Sequence, residues 1–251
     1  MPRRFGERRV AEGATELWVY SGGDGPREFA LVHGIGVSAV YYRRLAGALA
    51  VHGRVHLVEL PGFGKAREPR RPLTMEEFAE AAWSALDALG VREPLLIGHS
   101  MGAQVVVEMA IQRPGTRSIA LLAPTVNAAE RTVPLQALRL AQDAALEPPG
   151  VKPIVLWDYA RCGVSWWVAT LREMMRHRIE ERLPLVEASV LIVGGRRDPI
   201  CPIPWLRRLA SLSSRARLVI VPREAHVMMY RGARSVAAEL LAEAPSGAGT
   251  P

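Results

Sequence analysis

Three side chains of this chain have the types, and the order along the sequence, that acyl-transfer chemistry requires: Ser100, Asp198 and His226. A serine hydroxyl is a weak nucleophile until an imidazole takes its proton. The imidazole in turn needs a carboxylate to fix its tautomer and stabilise its charge. Ser100 lies in Gly98-His99-Ser100-Met101-Gly102, entered by the apolar run Leu95-Leu96-Ile97 and left by the helix-forming run Ala103–Ile111. A strand, a sharp turn and a helix in that order hold a serine on a strained elbow, flanked by glycines because the backbone turns too tightly for a Cβ on either side. Of His33, His52, His56, His99, His177 and His226, only His226 stands in a loop after the last apolar strand. Asp198 follows the apolar run Val190–Val193 within Gly194-Gly195-Arg196-Arg197-Asp198-Pro199, where a carboxylate can hold the Nδ1–H of His226. Taken alone, His226 is an ordinary loop histidine and Asp198 a turn former before proline. Their joint position makes them a base and its acid. Glu130 is the competing acid, but it does not closely follow a strand.

A tetrahedral oxyanion needs two donors. One is the N–H of Met101, at the start of a helix whose positive dipole end favours negative charge. The other is expected from His33-Gly34-Ile35-Gly36, the loop after the apolar run Phe29–Val32: the N–H of Ile35, with Gly36 a close second. Gly34 and Gly36 let the backbone approach a substrate. His33 is expected to orient this loop, His99 to point away from the reacting atoms, and His56 to be a core or sheet-end histidine.

The elements that must position these groups follow from apolar periodicity. A hairpin is expected from Phe5–Ala11 and Thr15–Tyr20 around Gly13, then strands at Phe29–Val32, Val55–Leu60, Pro94–Ile97, Arg117–Leu122, Ser189–Val193 and Arg217–Val221. Continuous apolar runs of this kind suit a parallel sheet buried on both faces. A helix is expected near Val40–Val51. Thr74 opens another with a capping box to Glu77, its apolar face formed by Phe78, Ala82, Ala85 and Leu89, and Gly90 closes it. The final helix spans about Gly232–Ala244, before a tail at 245–251 expected to be disordered. Between Leu122 and Ser189 the alternation of strand and helix is interrupted by a helical stretch carrying Trp157, Trp166, Trp167, Met174 and Met175. That length exceeds an ordinary connection and predicts a helical cap over residues 125–187, with the core formed by 1–124 and 188–251. Trp157, Trp166 and Trp167 are candidate pocket walls, beside Gly34 and Gly36. The alternative is that they only pack the cap onto the core.

Length and composition bound the rest. A chain of 251 residues with 49% hydrophobic and 23% charged residues is an ordinary globular domain with a large core. The net charge is +7, and arginine supplies all the basic residues except Lys65 and Lys152. The arginines are scattered and interleaved with glutamates, which argues for compositional bias and against a nucleic-acid partner. No apolar run reaches the length of a membrane span. The opening Met1-Pro2-Arg3-Arg4 is not followed by the apolar stretch of a secretory signal, so the expected location is cytoplasmic. Cys162 and Cys201 have neither redox nor metal spacing and are expected to be buried, inert thiols, and no metal cluster is evident. A homo-oligomer is left open.

His33-Gly34, Pro61-Gly62-Phe63-Gly64, Gly98-His99-Ser100-Met101-Gly102, Asp198 and His226 together resemble the α/β-hydrolase superfamily. Capped bacterial carboxylesterases and the carbon–carbon bond hydrolases of ring-fission products look most similar. The resemblance spans the chain outside the cap, from about residue 30 to 230. It implies an α/β-hydrolase fold with an eight-stranded, mostly parallel sheet, a helical cap inserted after the sixth strand, and no cofactor. Glu59 departs from the aspartate that relatives often carry before the Leu-Pro-Gly turn. Serine at the elbow argues against epoxide hydrolases and dehalogenases. His99 and Val37-Ser38, where the C–C hydrolases usually carry asparagine and glycine-proline, favour an esterase. The expected activity is therefore hydrolysis of small-molecule carboxylic esters of short to medium acyl chain. A C–C hydrolase, a lactonase, a thioesterase and a non-catalytic binding protein of the same fold remain alternatives. A neutral His226 is required, so activity should rise with pH through an apparent pKa of roughly 6–7.

Overall fold

The computed structural model describes residues 5–12 and 15–243. The turn at Gly13 and the tail at 245–251 lie outside the described residues. Eight strands form one sheet: β1 (Gly6–Glu12), β2 (Thr15–Gly22), β3 (Arg27–Val32), β4 (Gly53–Glu59), β5 (Leu95–His99), β6 (Ser118–Leu122), β7 (Ser189–Gly195) and β8 (Ala216–Val221). Their order across the sheet is β1-β2-β4-β3-β5-β6-β7-β8. The pairs β1–β2 and β2–β4 are antiparallel, and every pair from β4 to β8 is parallel. The apolar runs explain this arrangement. β5 and β6 are buried at every residue, as strands covered on both faces must be. β8 departs from that expectation. It is the edge strand, and most of its residues are only half-buried.

The helices alternate with the parallel strands: α1 (Arg43–Leu49), α2 (Met75–Asp87) and α3 (Met101–Gln112) before the interruption, and α8 (Ile203–Ser211), α9 (Met228–Arg231) and α10 (Ala233–Glu243) after it. The helix expected near Val40–Val51 begins instead as a tight 3-10 turn at Ala39–Tyr42 that runs into α1. At α2 the Thr74 hydroxyl accepts from the Glu77 N–H and the Glu77 carboxylate accepts from the Thr74 N–H, the reciprocal box its sequence predicts. Glu59 performs a structural task at the end of β4. Its carboxylate accepts the N–H of Lys65 at 2.6 Å and that of Ala39 at 3.3 Å, tying the following turn to the start of the 3-10 segment.

Between β6 and β7 the chain forms α4 (Val133–Leu146), α5 (Lys152–Cys162), α6 (Val164–Arg176) and α7 (Ile179–Arg182). This helical insertion docks on the core through buried polar links as well as apolar contact. Gln104 on α3 donates to the carbonyl of Met174 at 3.0 Å, and Glu108 accepts from Arg182 at 2.8 Å with the His177 ring 2.7 Å away. Trp166 packs on Phe63 with ring centroids 6.3 Å apart.

Candidate active site

The ends of the parallel strands bring the expected groups together. Ser100 follows β5 directly and has φ 56° and ψ −119°, a conformation an L-residue adopts only when its surroundings enforce it. The enforcement is steric. A Cβ at Gly98 would stand 2.2 Å from the Gly102 carbonyl, and one at Gly102 would stand 2.2 Å from the Val32 carbonyl. The Ser100 N–H donates to the Leu122 carbonyl at 2.9 Å, fixing the elbow to β6. Met101 is the first residue of α3, so its N–H precedes the first intrahelical bond.

Asp198 lies in the loop after β7 and His226 in the loop after β8. His226 Nδ1 is 2.8 Å from Asp198 Oδ2. The other carboxylate oxygen accepts two N–H groups, Ile200 at 2.8 Å and Cys201 at 2.9 Å, so Asp198 has little freedom to turn away. Burial favours a neutral His226 ring. The charge and hydrogen bond of Asp198, with further carboxylates at Asp143 and Glu147, outweigh it and push its pKa up to about 9. That value lies above the ordinary histidine value expected from the sequence. Glu130 does not compete with Asp198: its carboxylate is paired with Arg139 (Nε to Oε2, 2.9 Å).

Two more histidines set the loops. His33 Nε2 accepts the Leu60 N–H at 3.0 Å, so its proton sits on Nδ1 and is donated to the Gly34 carbonyl at 2.8 Å. Complete burial keeps this ring neutral, with a pKa lowered to about 4. His99, also buried and held well below the usual histidine range by burial and by His226, is likewise neutral. Its Nε2–H donates to the His226 carbonyl at 3.0 Å and its Nδ1 accepts the Tyr41 hydroxyl at 2.8 Å. The same hydroxyl accepts the Gly34 N–H at 3.1 Å. One chain of hydrogen bonds therefore joins the loop after β3, the elbow and the loop after β8. His56 pairs instead with the Ser21 hydroxyl at 2.8 Å, remote from this network.

Ser100 and His226 open onto a cavity of about 700 Å³ whose walls are mostly apolar, with Ile35 and Gly34 on one side and helices α4, α5 and α6 on the other. The tryptophans divide. Trp167 lines the cavity. Trp157 does not: it points outward and is 62% exposed, because the inward face of α5 is taken by Val155 and Tyr159. Trp166 is buried against Phe63 and Gly62 rather than in the cavity, and a Cβ at Gly62 would stand 2.2 Å from its Nε1. Gly36, at φ 75°, contributes closeness rather than wall, since a Cβ there would strike Tyr159 at 2.7 Å.

Several groups at this site escape the sequence analysis. Asp158 on α5 accepts both the N–H and the hydroxyl of Ser38, at 2.8 and 2.7 Å, hooking the insertion to the loop after β3. Asp143 and Glu147 on the α4 side accept the N–H of His226 at 3.0 Å and of Val227 at 2.7 Å. Their one signal in the sequence is acidic residues on the same face as Val133, Ala137 and Leu140. Asp198, Cys201 and His226 could crowd a metal ion, as could Glu76, Glu108 and His177. Several of these groups already have partners. Asp198 holds His226 and two amides, the Cys201 thiol donates to carbonyls and is held well above its usual pKa by burial, and Glu108 is paired with Arg182. Cys162 and Cys201 are both free and buried, as expected. Among the described residues, no helix is long and apolar enough to cross a membrane.

Residues 29–239 match a family described as the alpha/beta hydrolase family. The chain is 28% identical over 253 residues to a pimeloyl-[acyl-carrier protein] methyl ester esterase of Aeromonas hydrophila, covering 89% of this chain and 90% of that protein. It is also 28% identical to the dihydrolipoyllysine-residue acetyltransferase component of an acetoin cleaving system of Pseudomonas putida, where 92% of this chain spans only 66% of the relative. The enol-lactonase of Burkholderia xenovorans LB400 superposes with a TM-score of 0.81 at 19% identity, over 94% of this chain and all of the other (100%), a likeness of fold.

Proposed function

The chain belongs to the alpha/beta hydrolase family, and from that premise we propose that it is a serine hydrolase of carboxylic esters with short to medium acyl chains. The observation that carries this reading is that a strained Ser100 and His226, the latter held by Asp198, line one apolar cavity. His226 Nε2 takes the Ser100 proton as the oxygen attacks the ester carbonyl. Asp198 holds the Nδ1 proton and stabilises the imidazolium without itself being protonated. The N–H groups of Met101 and Ile35 receive the oxyanion, and the dipole of α3 adds to them. His226 then returns the proton to the leaving alkoxide. Water enters, His226 takes its proton, and the acyl-enzyme is hydrolysed by the same steps in reverse order.

A cavity of about 700 Å³ with mostly apolar walls suits a modest acyl chain. The helical insertion would act as its cap, with Trp167 and Leu171 against the acyl group. The Aeromonas relative, by its name a methyl ester esterase of an acyl-carrier substrate, supports ester over C–C bond cleavage. A complete triad argues against a purely binding role. The test is a series of p-nitrophenyl esters run beside a dienone, with Ser100→Ala as control. The reading requires faster turnover of butyrate or hexanoate than of the dienone, and a loss on the order of 10^4 or more in Ser100→Ala. A folded Ser100→Ala protein with undiminished rate would refute it.

A further inference from the structure

The insertion reaches the His226 loop through two carboxyls that the reaction does not require. Asp143 lies in the last turn of α4 and Glu147 directly follows that helix, four residues on. Both are buried, at 4% and 7% exposure, in a cavity otherwise almost wholly apolar. Each accepts a backbone N–H from consecutive residues of the loop, His226 to Asp143 at 3.0 Å and Val227 to Glu147 at 2.7 Å. Without these acceptors the two N–H groups would be buried and unpaired, a penalty large enough to shift the loop. On the opposite side the His226 carbonyl is held by His99. The backbone of His226 is thus clamped between the core and the insertion, independently of the Asp198 bond to its ring.

We propose that Asp143 and Glu147 are positioning residues: a carboxyl pair, carried by the insertion, that fixes the backbone of His226 and sets acidic groups against its loop. The proposal rests on the reading of His226 as the catalytic base. Its electrostatic part follows from what faces the pair. Burial raises both carboxyls above the usual carboxylate range, and the charge of Asp143 raises Glu147 further. The negative charge of the pair faces His226 and Asp198 from the core loops, the Cys201 thiol beside them, and Tyr159 on α5, with Lys152 as the cation on the cavity wall. Among these, the imidazole is the group whose charge the pair stabilises. The insertion and the base are consequently coupled: unseating α4 would release the His226 N–H and lower the ring's pKa together.

The double variant Asp143→Asn with Glu147→Gln keeps an acceptor oxygen for each N–H and removes the charge. An NMR titration of the His226 ring needs no substrate. The proposal requires the imidazole pKa of the double variant to fall by about one unit, as expected for loss of one nearby charge in a partly screened site. Where the parent hydrolyses p-nitrophenyl butyrate, the acid limb of kcat/KM should move to lower pH by the same amount. Asp143→Leu removes the acceptor as well, and kcat should fall about ten-fold with KM changed less than two-fold, while Asp143→Asn alone restores most of kcat. An imidazole pKa unmoved in the double variant overturns the proposal, as does a parental kcat in folded Asp143→Leu. If Asp143→Leu does not fold, the double-variant titration decides alone. A parent that cleaves no ester while the titration shifts as stated counts against the esterase reading and leaves the coupling standing.

Discussion

The loops after β3, β5, β7 and β8 carry their functional groups off the ends of buried strands, whereas the insertion carries its groups on or beside amphipathic helices laid over them. The two regions obey different rules. A strand end has one geometry, so a serine between two glycines after Leu95-Leu96-Ile97 can go to only one kind of place. A helix of the insertion buries a face, and any residue on that face can become cavity wall. α4 puts Val133, Gln136, Leu140 and Asp143 into the cavity by helical spacing, and Glu147, just past its end, lines the cavity too. In the proposed reaction the core supplies the chemistry. The insertion supplies shape, together with a few polar hooks, at Asp143, Glu147 and Asp158, that tie shape to chemistry.

The comparison can be broken at either region, and the effects should scale accordingly. The largest belongs to the core. Asp198→Asn leaves an amide that favours the wrong His226 tautomer, and esterase activity should fall on the order of 10^4 without loss of the folded state. A near-parental rate, or a dead Glu130→Gln, would move the acid to the insertion.

Next is the pH profile. Activity needs the neutral ring, and His226 is raised to about 9, so kcat/KM should climb with pH well beyond the ordinary histidine value and be depressed at pH 6. The sign follows from the cause. The carboxylates favour the protonated ring, and below that pKa the ring cannot accept the serine proton. A plateau already complete at pH 7 would show that the carboxylates around His226 are better screened than their burial implies.

Tyr41→Phe tests the link between core loops. It leaves both the Gly34 N–H and His99 Nδ1 buried without their partner, a penalty of about 1–3 kcal/mol that should lower the melting temperature by several degrees, with kcat/KM of the folded protein down roughly ten-fold as the loops loosen. The smallest effect belongs to the hook at the far side of the cavity. Asp158→Asn keeps one acceptor for Ser38 and should raise KM a few-fold with kcat within two-fold, since it loosens the wall and not the base.

The same contrast governs what can be read from sequence. Ser100, Asp198 and His226 are legible because each stands at a fixed offset from an apolar strand, whereas the strand order across the sheet is not. His33 is legible for the same reason, and its role in orienting the Gly34 loop is borne out by its two hydrogen bonds. The tryptophans of the insertion are not. Trp157, Trp166 and Trp167 look alike in sequence, but one faces solvent, one plugs the Gly62 turn and one lines the cavity. Their fates depend on how α5 and α6 roll against the core, which local periodicity does not specify. Asp143 and Glu147 stay hidden because an acid on a helix normally marks the solvated face. Tyr41 stays hidden because its partners are 7 and 58 residues away in the chain.

The central claim is that Ser100 is the activated nucleophile of this site. It is tested most directly by treating the folded protein with a fluorophosphonate and locating the adduct by mass spectrometry. The account predicts one adduct, on Ser100, formed faster as pH rises through the His226 titration and abolished in His226→Ala. An adduct on another residue, or none on Ser100 in a protein that hydrolyses esters, would contradict it.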